Sequence, residues 1–141
     1  MVGRVYRAGD CLSYAKGVVS DYPVLELRLW NVIGEEFPET LRIPVDTGFE
    51  GSILLDVESY EFFKVGELPR EFWRTYRTLS GRVLMRVARA VARLGAVELE
   101  TYVEAPAYGL GKRLLGREVL NKLIVVLDGP KRSSCLAEAL E

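Results

Sequence analysis

Histidine and glutamine are absent from this chain of 141 residues, and asparagine occurs only at Asn31 and Asn121. Without histidine there is no Ser-His or Cys-His nucleophile, no imidazole base near neutral pH and no histidine ligand for zinc. Hydrolytic chemistry, if present, must rest on carboxylates. The shortage of labile amides beside 19 Lys+Arg and 20 Asp+Glu fits a thermophile-like composition. Cysteine is almost as scarce. Cys11 and Cys135 stand near opposite ends without a CxxC spacing, so no zinc site is expected; a disulfide stays open, and two free thiols are the expectation. The charges nearly cancel, with a net charge of −1, so no global field draws the chain to nucleic acid or to an anionic membrane. No apolar run approaches the roughly 20 residues that span a bilayer, and the first residues lack the apolar core of a secretory signal. A cytoplasmic, soluble protein is expected, with neither membrane nor nucleic acid as partner.

The length suits one domain, residues 1–141, large enough to bury a real core. Strand-like alternation is clear from Val24 to Trp30, where Leu25, Leu27 and Leu29 interleave with Glu26 and Arg28, and Gly34 opens the following turn. Leu41, Ile43 and Val45 alternate with Arg42 and Pro44, and Ser52 to Leu55 is a second extended apolar run. Between these runs lies Asp46-Thr47-Gly48. By chance such a triplet occurs in roughly one chain of this length in forty, so its setting carries the signal. Val57 to Val65 reads as a short helix with Asp56 as N-cap and Gly66 as stop. Leu114-Leu115-Gly116-Arg117-Glu118-Val119-Leu120 then gives an apolar-apolar-Gly segment, and Leu123 to Leu127 a strand running into the turn Asp128-Gly129-Pro130.

The strand leading into Asp46-Thr47-Gly48, together with the later Leu114-Leu115-Gly116-Arg117 segment, resembles the retropepsin-like aspartic proteases over about residues 24–130. The resemblance implies an all-β fold, a retropepsin-like closed or half β-barrel with one or two short helices and a flap hairpin over the cleft. It implies that Asp46 is catalytic, that Thr47 locks two loops together across a two-fold axis, and that Gly48 brings its backbone N–H close to the carboxylate. Gly116 would pack closely behind the aspartate, and Arg117 would form a supporting ion pair. Phe49, where alanine is common in the retroviral members, would bear on the substrate side of the loop. Glu50 reads as a solvated acid, and Glu118 stands where Asp or Asn is commoner.

A proton-sharing pair of carboxylates needs two aspartates, because two negative charges about 3 Å apart repel too strongly to coexist. Asp10, Asp21, Asp56 and Asp128 are not followed by Thr/Ser-Gly, so the second member is expected from Asp46 of another copy: a homodimer cleaving peptide or protein substrates without metal or cofactor. Asp128-Gly129-Pro130 reads as a turn, not as a second catalytic triplet.

Residues 82–94 are ambiguous. Arg82, Arg86, Arg89 and Arg93 recur at helical spacing, while Val83, Met85 and Val87 alternate as in a strand. The resemblance implies strands here, with Trp73 to Leu79, a turn at Ser80-Gly81 as the flap tip, a strand from Arg82, a turn at Gly95-Ala96 and a strand from Val97 to Glu104. Residues 1–16 and 131–141 show no clear pattern, the latter admitting one or two polar helical turns. Two other readings remain: a non-catalytic peptide-binding or dimerisation module on the same fold, and a nucleic-acid binder using the arginine stripe.

Overall fold

Alternation written into the sequence becomes sheet almost everywhere. The computed structural model describes residues 3–140, in the order β1 (Val5–Ser13), β2 (Val24–Trp30), β3 (Leu41–Pro44), β4 (Ile53–Leu54), α1 (Val57–Tyr60), β5 (Arg74–Thr78), β6 (Gly81–Leu94), β7 (Val97–Pro106), β8 (Leu114–Leu115), α2 (Arg117–Leu120), β9 (Ile124–Asp128) and β10 (Ser133–Leu140). Two 3₁₀ segments, Glu61–Gly66 and Arg70–Phe72, link α1 to β5. Seven strands form one sheet, ordered β3-β2-β6-β7-β4-β8 with β5 on β6; the other three form the sheet β1-β10-β9.

The core gathers the inward side chains of these strands. Leu25, Leu27 and Leu29 of β2 meet Ile43, Ile53, Leu115 and the alternate residues Ala88, Ala90, Ala92 and Leu94 of β6. Period-two alternation alone places β6 residues 88, 90, 92 and 94 inside. It also divides the arginines: Arg82 and Arg86 take one face of the strand, Arg89 and Arg93 the other. The single basic stripe that a helix would have made is therefore not formed, and Arg86 is engaged with Glu61 at 3.3 Å and Glu67 at 2.8 Å. Strand wins over helix here because β6 pairs with β7 from Met85–Pro106 to Leu94–Val97 on one edge, and with β5 and β2 on the other.

Asp56 caps α1 as expected, its carboxylate accepting from the Ser59 N–H at 3.1 Å. The helix is shorter than expected, however, tightening into 3₁₀ geometry from Glu61. Phe62 and Phe63, which pack with Phe37 in an aromatic cluster, fix that last turn against the core.

Two expectations fail at the chain ends. Residues 133–140 form a strand, not helical turns, and residues 5–13 form its partner, from Val5 opposite Leu140 to Ser13 opposite Ser133. Cys11 and Cys135 are joined in a disulfide rather than free, with an S–S distance of 2.09 Å. Antiparallel pairing of first and last strands brings them together: the bulge between Gly9 and Leu12 holds Cys11 opposite the Cys135 region, with the Cα atoms 4.1 Å apart. Among the described residues no helix is long and apolar enough to cross a membrane.

Candidate active site

The chain enters the site at Val45, whose N–H donates to the Pro23 carbonyl at 3.0 Å and which bridges Leu115 in parallel. Asp46 donates its N–H to the Leu115 carbonyl at 2.9 Å. Leu115 also pairs with Ile53 on the outgoing side. The short strand β8 thus lies between the two stems of the Asp46 loop and holds both.

At the apex the loop turns on itself. The Asp46 Oδ1 accepts from the Gly48 N–H at 2.8 Å, and the Phe49 N–H donates to the Asp46 carbonyl at 3.2 Å. A Cβ on Gly48 would press on that same carboxylate oxygen at 3.1 Å, so glycine keeps the donor close. Asp46 is half-buried, whereas Thr47 and Gly48 are exposed. The Thr47 hydroxyl has no hydrogen-bond partner among the described residues of its own chain.

The second segment grips the loop from behind. Gly116 donates to the Ser52 carbonyl at 2.7 Å, Arg117 to the Phe49 carbonyl at 2.8 Å and Glu118 to the Gly51 carbonyl at 3.0 Å. The Arg117 guanidinium reaches Glu50 at 3.5 Å. Both side chains are exposed, so this pair adds little by itself in a single chain.

Ser80 and Gly81 stand at the exposed tip of the β5–β6 hairpin, where Gly81 has φ 114°. Hairpin pairing runs from Arg74–Met85 to Thr78–Gly81. The hairpin's inward residue Tyr76 reaches the Asp46 loop directly, its ring meeting Phe49 edge-on at 5.4 Å.

Sequence reasoning missed what lies beneath this contact. Glu104 of β7 is fully buried. Its Oε2 accepts from the Ser52 N–H at 2.8 Å, the Ser52 hydroxyl at 3.0 Å and Arg74 at 3.1 Å, while its Oε1 accepts from the Tyr76 hydroxyl at 2.6 Å. Arg74 continues to Glu118 at 3.1 Å. Burial, then the bond to Glu104, pushes the Tyr76 phenol up from its ordinary value. The only hint in the sequence is a carboxylate inside Tyr102-Val103-Glu104-Ala105-Pro106, a run otherwise fit for the core.

A hollow of about 770 Å³ lies elsewhere, lined by Trp30, Asn31, Arg89, Glu100, Tyr102 and Lys122 among others and by no residue of the Asp46 loop. Among the described residues no cluster of His, Cys, Asp and Glu is placed to hold a metal ion.

No protein-family model matches the chain, and no curated protein matches its sequence. Among solved structures it is similar to a retropepsin-like aspartic protease from Rickettsia conorii, at 19% identity and a TM-score of 0.53, with 100% of both chains covered. It is also similar to EIAV protease complexed with the inhibitor HBY-793, at 15% identity and a TM-score of 0.49, covering 77% of this chain and 93% of that one. The Rickettsia likeness, end to end, and the strand-dominated architecture give the chain a retropepsin-like all-β fold.

Proposed function

We propose that this chain, as one domain, is an aspartic endopeptidase whose active form is a homodimer, each copy supplying Asp46. The observation that carries the reading is the Asp46 loop: its stems are held on both sides by Leu115, while Thr47 and Gly48 at its apex are exposed in the single chain. Such an apex offers backbone and hydroxyl groups to an identical apex related by a two-fold axis, where residue i of one copy meets residue i of the other.

In the resulting pair one carboxylate is ionised and the other protonated. The ionised member takes a proton from a water whose oxygen attacks the scissile carbonyl carbon. The protonated member donates a hydrogen bond to the carbonyl oxygen as charge develops there. Collapse of the tetrahedral intermediate breaks the C–N bond, with a proton delivered to the leaving amine. The pair titrates as a unit, so the pH profile belongs to the dyad rather than to either aspartate.

Asp46→Asn tests the reading. The near-isosteric amide should abolish cleavage in a folded protein. After full subunit exchange, an equal mixture with wild type should keep about one quarter of the activity per total protein if both aspartates are needed, against about one half for independent single-chain sites. A value near one half would overturn the shared dyad, and full activity of Asp46→Asn would overturn the chemistry. A folded wild-type dimer that binds peptides without cutting them would favour the non-catalytic reading.

A further inference from the structure

Glu104 is the one charged side chain, among the described residues, that is fully buried, and the cleavage scheme above does not use it. A carboxylate withdrawn from water is tolerated only when its lone pairs are satisfied. Here the satisfying donors come from two places that matter for that scheme: Ser52, on the outgoing stem of the Asp46 loop, and Arg74 and Tyr76, on β5 of the flap hairpin. One buried group therefore fixes the root of the hairpin to the root of the loop.

Phe49 and Tyr76 stand on this base. Phe49 follows Asp46 by three residues, and its ring meets Tyr76 edge-on at 5.4 Å with an interplanar angle of 67°. Gly51 is where the wall closes: a Cβ there would collide with Glu104 Oε2, Phe49 Cζ and the Tyr76 hydroxyl. Gly116 is shaped to the same ring, since its Cβ would meet Phe49 Cδ2 at 2.7 Å. The rings thus fill space between the loop and the hairpin, on the side of the hairpin that faces the loop. An extended peptide laid there with its scissile carbonyl at Asp46 points alternate side chains to the same side, one of which would face the Phe49–Tyr76 pair three residues along the loop.

We propose that the Phe49–Tyr76 wall, positioned by Glu104, closes the side-chain subsite beside Asp46 and makes the cleft selective for peptides carrying a small residue (Gly, Ala or Ser) at that position. This rests on the protease reading and adds its substrate class. Phe49 and Tyr76 determine specificity; Glu104 is a positioning residue.

The test is a set of peptides identical except at each position flanking the scissile bond, cleaved by the wild-type homodimer and by Phe49→Ala, Tyr76→Ala, Tyr76→Phe and Glu104→Gln. Wild type should prefer Ala over Leu or Phe at one flanking position by about tenfold or more in kcat/KM. Phe49→Ala and Tyr76→Ala should erase that preference by raising cleavage of the bulky peptide relative to the small one. Tyr76→Phe and Glu104→Gln, which keep the volume and loosen its anchorage, should erode it partly. Phe49→Leu serves if the alanine variant fails to fold, because the ratio between two peptides is insensitive to the amount of folded enzyme. Wild type accepting bulky and small residues alike at every flanking position, or unchanged ratios in the variants, overturns the proposal.

Glu104 is read separately by hydrogen exchange. The Ser52 amide should exchange at least about tenfold faster in Glu104→Gln, with core amides such as Leu27 unchanged; equal Ser52 rates reject its positioning role. If the wild-type dimer cleaves none of the peptides, the protease reading and the selectivity fall together. The exchange result then decides the positioning role by itself.

Discussion

Gly116 lies so close to the backbone carbonyl of Gly51 that no β-carbon fits between them. Its φ of −95° is open to any residue, so contact, rather than backbone conformation, makes glycine necessary. The stem of the Asp46 loop and the segment behind it are packed backbone to backbone at this point.

Gly116→Ala should therefore destabilise the fold by about 1–3 kcal/mol, the usual range for overpacking. It should also displace Phe49, whose ring would be the second obstruction. Urea denaturation measures the first effect. A variant as stable as wild type would mean that the loop yields freely.

The disulfide between Cys11 and Cys135 closes a loop with a sequence separation of 124. Removing such a link by Cys11→Ser, or by reductant, should lower stability by about 2–5 kcal/mol. Thermal scans with and without reductant test the magnitude, and thiol titration of the native protein should find no free cysteine.

At Gly81 the positive φ forbids an easy substitution. Gly81→Val should strain the hairpin tip and accelerate amide exchange from Thr78 to Val83; on the protease reading proposed above it should also reduce turnover. The tip is exposed and remote from the buried core, so the midpoint of global unfolding should move less than for Gly116→Ala. A larger shift than for Gly116→Ala would show that the hairpin belongs to the cooperative core.

Acid should weaken the start of α1. Burial opposes the Asp56 charge, but hydrogen bonds from Ser59 and Arg113 outweigh it and hold the carboxyl below its ordinary value. A depressed folded-state pKa gives stability that is complete above the unfolded value of about 3.9 and is lost as pH falls through the folded one. Asp56→Ala should cost about 1 kcal/mol at pH 7. The difference from wild type should shrink as pH falls below about 4, as followed by urea denaturation at a series of pH values. A constant difference would assign the loss to packing.

The strands that bury one face were legible because burial imposes a period: β2 begins and ends at the residues where the alternation of Leu25, Leu27 and Leu29 does. The Asp46 loop was legible for the same reason, as a turn between two apolar stems. The chain ends were not. Almost all of β1 is exposed, so no inside and outside are written into Val5–Ser13, and residues 136–140 of β10 are Leu, Ala and Glu, which favour helix until a partner strand overrides them. Residues 82–94 carried both periods at once, because β6 buries Met85 and Val87 on one face and Ala88 onward on the other, which blurs the alternation. The Glu104 network was invisible for another reason: its donors lie at residues 52, 74 and 76, and only folding makes them neighbours.

The pairing of β1 with β10 has a kinetic meaning. During synthesis β1 must wait until β10 has been made before its partner exists, and this pairing contributes some of the longest sequence separations among the described residues. Contacts of that kind slow folding, since the loop must close before any of them forms. Val5 and Leu140 are opposed in the register, so a permuted chain that joins these ends and opens between β1 and β2, at the exposed Val18 and Val19, would turn the most distant strand pair into a local hairpin. Such a chain should reach the same fold faster than the natural order does.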